Sequence, residues 1–201
     1  SPAVSNTFEI KIQEAEKVNL NNGIPVYCIN AGTQEIVRLE IYFDAGIIRQ
    51  SKPFQAFLTN HMLMEGTTSR TSAQISEEID FYGGYLNVDY AKDFSTITLH
   101  ILNKYFDKGL AVLRDVLLNP TFPENELDTL IKNQRSAYMV DIEKVSYIAQ
   151  KKLNELLFKG HAYGRSSTEE DFNKITRDDI VSFYEFYNLS AAQVTLSGKI
   201  G

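Results

Sequence analysis

The alternation of apolar and polar positions divides the chain into short strands and amphipathic helices. Residues 17–20 and 24–30 are two strand-like runs flanking Asn22-Gly23, a dipeptide whose members both favour the left-handed backbone of a tight hairpin turn. Upstream, FEIKI at residues 8–12 alternates and reads as a further strand. Residues 35–45 (EIVRLEIYFDA) set Ile36, Leu39, Ile41 and Phe43 among Arg38, Glu40 and Tyr42, the pattern of a half-buried strand, which Gly46 closes.

At residues 51–67 (SKPFQAFLTNHMLMEGT) the period changes. Phe54, Phe57, Leu58, His61 and Met62 recur at three- and four-residue steps, which predicts a helix with these side chains on its buried face. Ser51 is the expected N-cap, Pro53 suits the first turn, and Gly66 marks the stop. Thr71 and Gln74 make a capping box for a second helix, striped by Ile75, Ile79 and Tyr82 and ended by Gly83-Gly84. Residues 85–90 and 94–102 read as strands. A third helix, 104–118, turns Phe106, Leu110, Leu113, Val116 and Leu117 to one side and ends at Asn119-Pro120. Pro123, with Glu124 and Glu126 behind it, opens a long helical stretch that runs to Phe158 with a break at 141–146. The loop KGHAYGRSS follows. Thr176 caps a last helix through Tyr187, and residues 193–197 form a final strand. Hairpins interrupted by grouped helices predict an α+β fold, with helices on one face of a largely antiparallel sheet, in a single domain over residues 1–201.

Composition narrows the function classes. With 43% hydrophobic and 23% charged residues the chain can bury a substantial core. A net charge of -6 argues against a nucleic-acid binder. There is no apolar run long enough for a membrane span and no signal peptide; a soluble protein is expected, with its compartment unknown. The chain opens at Ser1 without a methionine, as a processed or fragmentary chain does. The single cysteine, Cys28 in the run VYCI, excludes an internal disulfide and a cysteine-rich zinc site and reads as a small core residue.

Taken in order, the segments LNNGIPVYCI, FDAG, HMLMEGT, GGYLNVDYAKD, LLNPTF, GHAYG and SGKIG resemble the landmarks of the first domain of pitrilysin/insulinase-family zinc peptidases, from about residue 18 to the end. Ala162 in GHAYG stands where that family has proline. The resemblance implies a LuxS/processing-peptidase-like metalloenzyme-family domain, normally followed by a second domain like itself. In the family two histidines one helical turn apart and a distal glutamate hold zinc. A glutamate between the histidines activates water. Imidazoles at i and i+4 project from one helix face to one ion, and the adjacent carboxylate accepts the water proton.

Carried onto this chain, the H-x-x-E-H positions read Phe57-x-x-Asn60-His61. A phenyl ring has no lone pair for zinc, and a carboxamide cannot act as a carboxylate base. The distal acidic positions fall on Gln134-Arg135 and then Asp141, two helical turns on, with Glu143 as a nearby competitor. Phe57, Asn60, His61, Gln134 and Asp141 are therefore vestigial positions, with no catalytic residue and no bound zinc expected. His61 reads as a core histidine with a local hydrogen-bond partner, and Phe57 as the ring filling the space of the missing histidine and metal. His100 reads as structural and His161 as a loop packing residue. Asn87 matches the family's edge-strand asparagine, which pairs with extended peptide, and reads equally as a turn-proximal asparagine. Phe183, Tyr184, Phe186 and Tyr187 read as core and domain-contact surface.

The resemblance thus implies a catalytically inactive domain of a bacterial-type member, from cytoplasm or periplasm, that pairs with a catalytic pitrilysin/insulinase-family subunit or domain as a peptide-binding clamshell. The non-catalytic subunit of the mitochondrial processing peptidase is the analogy. Two alternatives stay open. One is an active zinc endopeptidase with the atypical ligands His61 and Asp141, and Glu143 as a third. The other is a structural or peptide-binding protein without a peptidase partner.

Overall fold

The computed structural model describes residues 13–200, so the strand expected at 8–12 lies outside the described residues. Strands β1 (Glu16–Asn19), β2 (Pro25–Asn30), β3 (Ile36–Phe43), β4 (Tyr85–Tyr90), β5 (Ser95–Leu102) and β6 (Gln193–Gly198) form one sheet in the order β1-β2-β6-β3-β5-β4. Neighbours are antiparallel except β2 and β6, which run parallel. The last strand in sequence is thus inserted between two of the first, and β4 forms one outer edge.

Among the described residues six α-helices accompany the sheet: α1 (Gln55–Met62), α2 (Ser72–Phe81), α3 (Phe106–Leu118), α4 (Glu124–Asp141), α5 (Val145–Leu157) and α6 (Arg177–Tyr184). Leu39 pairs with Leu99 and Ile41 with Ile97 across β3 and β5, so inward side chains of one face stack in register. Leu58, Met62, Ile75, Val112, Leu113 and Ile180 of the helices share the same core cluster. This is the expected α+β arrangement, with a largely antiparallel sheet.

Several local details differ from the sequence reading. In β3 the buried set is Val37, Leu39, Ile41 and Phe43, while Ile36 is 38% exposed, because strict alternation from Phe43 back to Val37 leaves Ile36 on the other face. In α3, Leu110 is 39% exposed and Val112 takes its place in the core. Gly109 faces the sheet so closely that a Cβ there would stand 2.6 Å from Ile101 Cδ1. The β1–β2 connection is a longer loop closed by Leu20 N–H to Ile24 O at 2.9 Å. Only Gly23 is left-handed there, at φ +84°, and Asn22 Oδ1 instead accepts from Ile24 N–H. Cys28 is half-buried beside Tyr27 rather than a core residue. α6 stops at Tyr184, and Tyr187 lies in the turns that follow.

The capping boxes at Thr71/Gln74 and Thr176/Asp179 form as side-chain chemistry dictates. The break in the long helical stretch falls between Asp141 and Val145.

Candidate functional site

Helix α1 carries Phe57, Asn60 and His61, and its entry differs from the sequence expectation. Ser51 is not its N-cap. Phe54 is, at φ +68°, a left-handed backbone costing on the order of 1 kcal/mol for a side-chain-bearing residue. The compensation is packing: the Phe54 ring stacks on Phe172 at 3.9 Å and meets Tyr138 edge-on at 5.9 Å. Gln55 anchors the entry, accepting from Ser51 N–H at 2.9 Å through Oε1 and donating to Asp179 O at 2.7 Å through Nε2, while Gln50 Oε1 accepts from the first-turn Ala56 N–H at 3.4 Å. Pro53 therefore precedes the helix. Its end comes at Met62 with Leu63 as C-cap, before Gly66.

This anchoring sets the rotation of α1. Asn60 is completely buried, whereas Phe57 and His61, expected on the buried side, are half-buried, with Phe57 packed against the core cluster. Asn60 Nδ2 donates to Asp89 O at 3.1 Å and to the Tyr187 hydroxyl at 3.2 Å, and its Oδ1 has no partner. Tyr187 is pushed up to about 12 by burial, against its hydrogen bonds with Ser95 and Asn60, so it keeps its proton. Asn60, the expected general-base position, is thus a neutral tie between α1, the outer strand β4 and the segment after α6.

His61 Nδ1 lies 3.0 Å from Phe57 O. A carbonyl only accepts, so Nδ1 carries the hydrogen, and Nε2 is the one ring nitrogen that could face a metal. The imidazole rests 4.2 Å from the Phe57 ring, which also meets Tyr90 at 5.5 Å. Of the distal positions, Gln134 and Asp141 lie on α4, and Asp141 accepts from Lys144 Nζ at 2.7 Å. Arg135 pairs with Glu169 at 2.5 Å, and Glu143 is exposed beyond the helix end. Among the described residues no three of His, Cys, Asp or Glu come together as a metal site. One imidazole with a phenyl ring and a donating carboxamide beside it does not match the donor set of a catalytic zinc.

The other singled-out residues serve local structure. His161 Nδ1 accepts from Tyr163 N–H at 3.2 Å, and the Tyr163 hydroxyl donates to Asp93. His100 sits in β5 against Tyr85, its pKa lowered by burial and by Arg38. Asn87 does lie on the outer strand, where it accepts from the Tyr85 hydroxyl at 3.2 Å and donates to the Asp89 carboxylate.

Phe57 opens onto a cavity of about 320 Å³ that no local sequence pattern announced. Its walls are the approach to α1, the end of β4 at Tyr90, one side of α5 (Tyr147, Lys151, Asn154) and the loop from Ala162 to Ser167. The GHAYG segment was legible as a landmark, but its meeting with α5 and β4 is a tertiary event.

A family model for insulinase (peptidase family M16) matches residues 26–171. The chain is 22% identical over 195 residues to a Bacillus subtilis protein named uncharacterized zinc protease YmxG, covering 92% of this chain and 46% of that protein. It is 26% identical over 148 residues to a Helicobacter pylori protein named non-peptidase homolog YmxG, covering 72% of this chain and 34% of that protein. A crystal structure of a peptidase M16 inactive domain from Pseudomonas fluorescens superposes with a TM-score of 0.88 at 21% identity, covering 94% of this chain and 47% of that one. The chain spans about half the length, or less, of the curated relatives it matches.

Proposed function

Because the chain belongs to the insulinase family (peptidase family M16), we propose that it is a catalytically inactive member, one that holds extended peptide and pairs with a catalytic homologue. The observation that carries this is Asn60. It stands at the general-base position as a fully buried donor to Asp89 O and Tyr187, a role a carboxylate cannot fill. Phe57 beside it supplies no metal ligand. The Helicobacter pylori relative is named a non-peptidase homolog, and the Pseudomonas fluorescens domain is described as inactive, which supports the same reading.

Peptide holding draws on two features. β4 is an outer strand, and strand addition needs backbone groups and side-chain pockets rather than zinc. Tyr90, the last residue of β4, lines the cavity, so a peptide laid along that edge reaches it. Pairing draws on α5, none of whose residues is fully buried and whose Val145, Leu153 and Leu156 form an exposed apolar stripe.

The test is zinc content after equilibration with excess zinc and desalting, beside a His61→Ala control. The inactive reading expects far less than one zinc per chain and no difference between the two proteins. One zinc per chain, lost in His61→Ala, would overturn it and favour the alternative with His61 and Asp141 as ligands.

A further inference from the structure

The cavity beside Phe57 gathers positive charge in a chain of net charge -6. Lys92, Lys151 and Arg165 line it, and no aspartate or glutamate does. Among the described residues none of the three cations is in a salt bridge. Donor accounting leaves each with capacity to spare. Lys151 directs two of its N–H groups to the Tyr138 hydroxyl at 2.9 Å and Ser167 O at 2.5 Å, which leaves the third. Arg165 directs Nη1 to Gln50 O at 2.8 Å and Ser51 O at 3.1 Å, which leaves Nε and Nη2. Lys92 stands over the Phe158 and Tyr163 rings at 5.3 and 5.2 Å.

Three carboxylates border the cavity from outside its lining, and each is already engaged. Asp93 accepts from the Tyr163 hydroxyl, Asp141 pairs with Lys144, and Glu155 pairs with Lys152 and accepts from Ser166 while acting at longer range on Lys151. Rings of Phe54, Phe57, Tyr90 and Tyr147 complete the lining. Burial raises the Tyr90 and Tyr147 phenols, so both remain protonated hydrogen-bond donors. A half-enclosed aromatic site with spare N–H and O–H donors and no acceptor carboxylate is complementary to an anion, which charge-assisted hydrogen bonds hold about twice as strongly as neutral ones.

We infer that this cavity takes a carboxylate presented by an extended peptide, from an aspartate or glutamate side chain or from the chain terminus. The inference rests on the reading that the chain holds peptide. It adds that the peptides preferred are acidic at the position reaching past Tyr90.

The experiment is fluorescence anisotropy with labelled short extended peptides of one sequence. The amidated forms carry Glu, Gln or Lys at the centre, and a further Gln form has a free C-terminus. The Glu peptide is expected to bind about tenfold tighter than its Gln twin. That preference should shrink with added salt and vanish in Lys92→Gln/Arg165→Gln, whose fold is checked by circular dichroism. The salt series on the unaltered chain and the single Arg165→Gln variant keep the test decisive if the double variant misfolds. Tightening by the free terminus instead of the Glu side chain assigns the source of the carboxylate. Equal binding of all peptides, or tighter binding of the Lys form, overturns the carboxylate inference while leaving peptide holding intact. Absence of binding by every peptide overturns both.

Discussion

Asp115 shows how far single residues hold this fold together. Its Oδ2 accepts from the Thr67 and Ser69 hydroxyls at 2.6 Å each and from Arg70 Nη1 at 2.8 Å, and its Oδ1 from Asn119 Nδ2 at 2.8 Å. Burial pushes the carboxyl up, but donation from Ser69, Thr67, Asn119 and Arg70 outweighs it and holds the group well below the usual carboxylate range. A carboxyl depressed in the folded state stabilises fully above its unfolded value of about 4 and progressively less as pH falls below that. Asp115→Asn is therefore expected to lose about 2 kcal/mol at neutral pH and to flatten the acid limb of stability, both read from urea midpoints against pH. Asn60 gives the opposite case. Asn60→Glu would set a carboxylate against Asp89 O in a fully buried site, and a loss of about 3 kcal/mol in urea unfolding is expected. An unchanged midpoint would mean that the site admits a charge.

At the scale of elements, the cavity depends on how the end of β3 meets the turn between β4 and β5. Ile47 N–H bonds Ala91 O at 3.1 Å and Ile48 N–H bonds Lys92 O at 2.9 Å. Gly46 is required there by contact rather than by backbone angle. A Cβ would fall 2.3 Å from Asp93 C, 2.5 Å from Phe94 N and 2.6 Å from Lys92 O, all main-chain atoms. Gly46→Ala is expected to cost about 2 kcal/mol in denaturant unfolding and to weaken whatever the Lys92 side of the cavity binds. The entry to α1 follows the same logic, since the stacking of Phe54 on Phe172 and Tyr138 offsets an unfavourable φ.

For the whole molecule, α4 and α5 carry a run of exposed apolar side chains. Val145 is 84%, Leu156 77% and Leu157 66% exposed, with Val140 also outside the core. Nothing in the fold's own packing needs them, so Val145→Glu/Leu156→Lys is expected to change unfolding free energy by no more than about 0.5 kcal/mol. It should lower concentration-dependent association of the isolated chain in sedimentation velocity. If the unaltered chain sediments as a monomer at every concentration, the stripe is not adhesive by itself.

Local periodicity and side-chain chemistry determined most of the elements. The capping boxes at Thr71 and Thr176, the start at Pro123, the break after Asp141 and the alternation within β3 depend on residues near in sequence. That Phe57 offers no lone pair to a metal and Asn60 no carboxylate is equally legible, because both are properties of the residue type. What the sequence could not determine is which side chains face inward where two elements compete for a helix. α1 is rotated by Phe54 and Gln55 meeting Phe172 and Asp179, residues far along the chain, and that rotation buries Asn60 and half-exposes His61. The insertion of β6 between β2 and β3, and the meeting of Tyr90, Lys151 and Arg165 around one cavity, are likewise decided only in tertiary structure. They depend on contacts between residues remote in sequence, and local pattern carries no information about those.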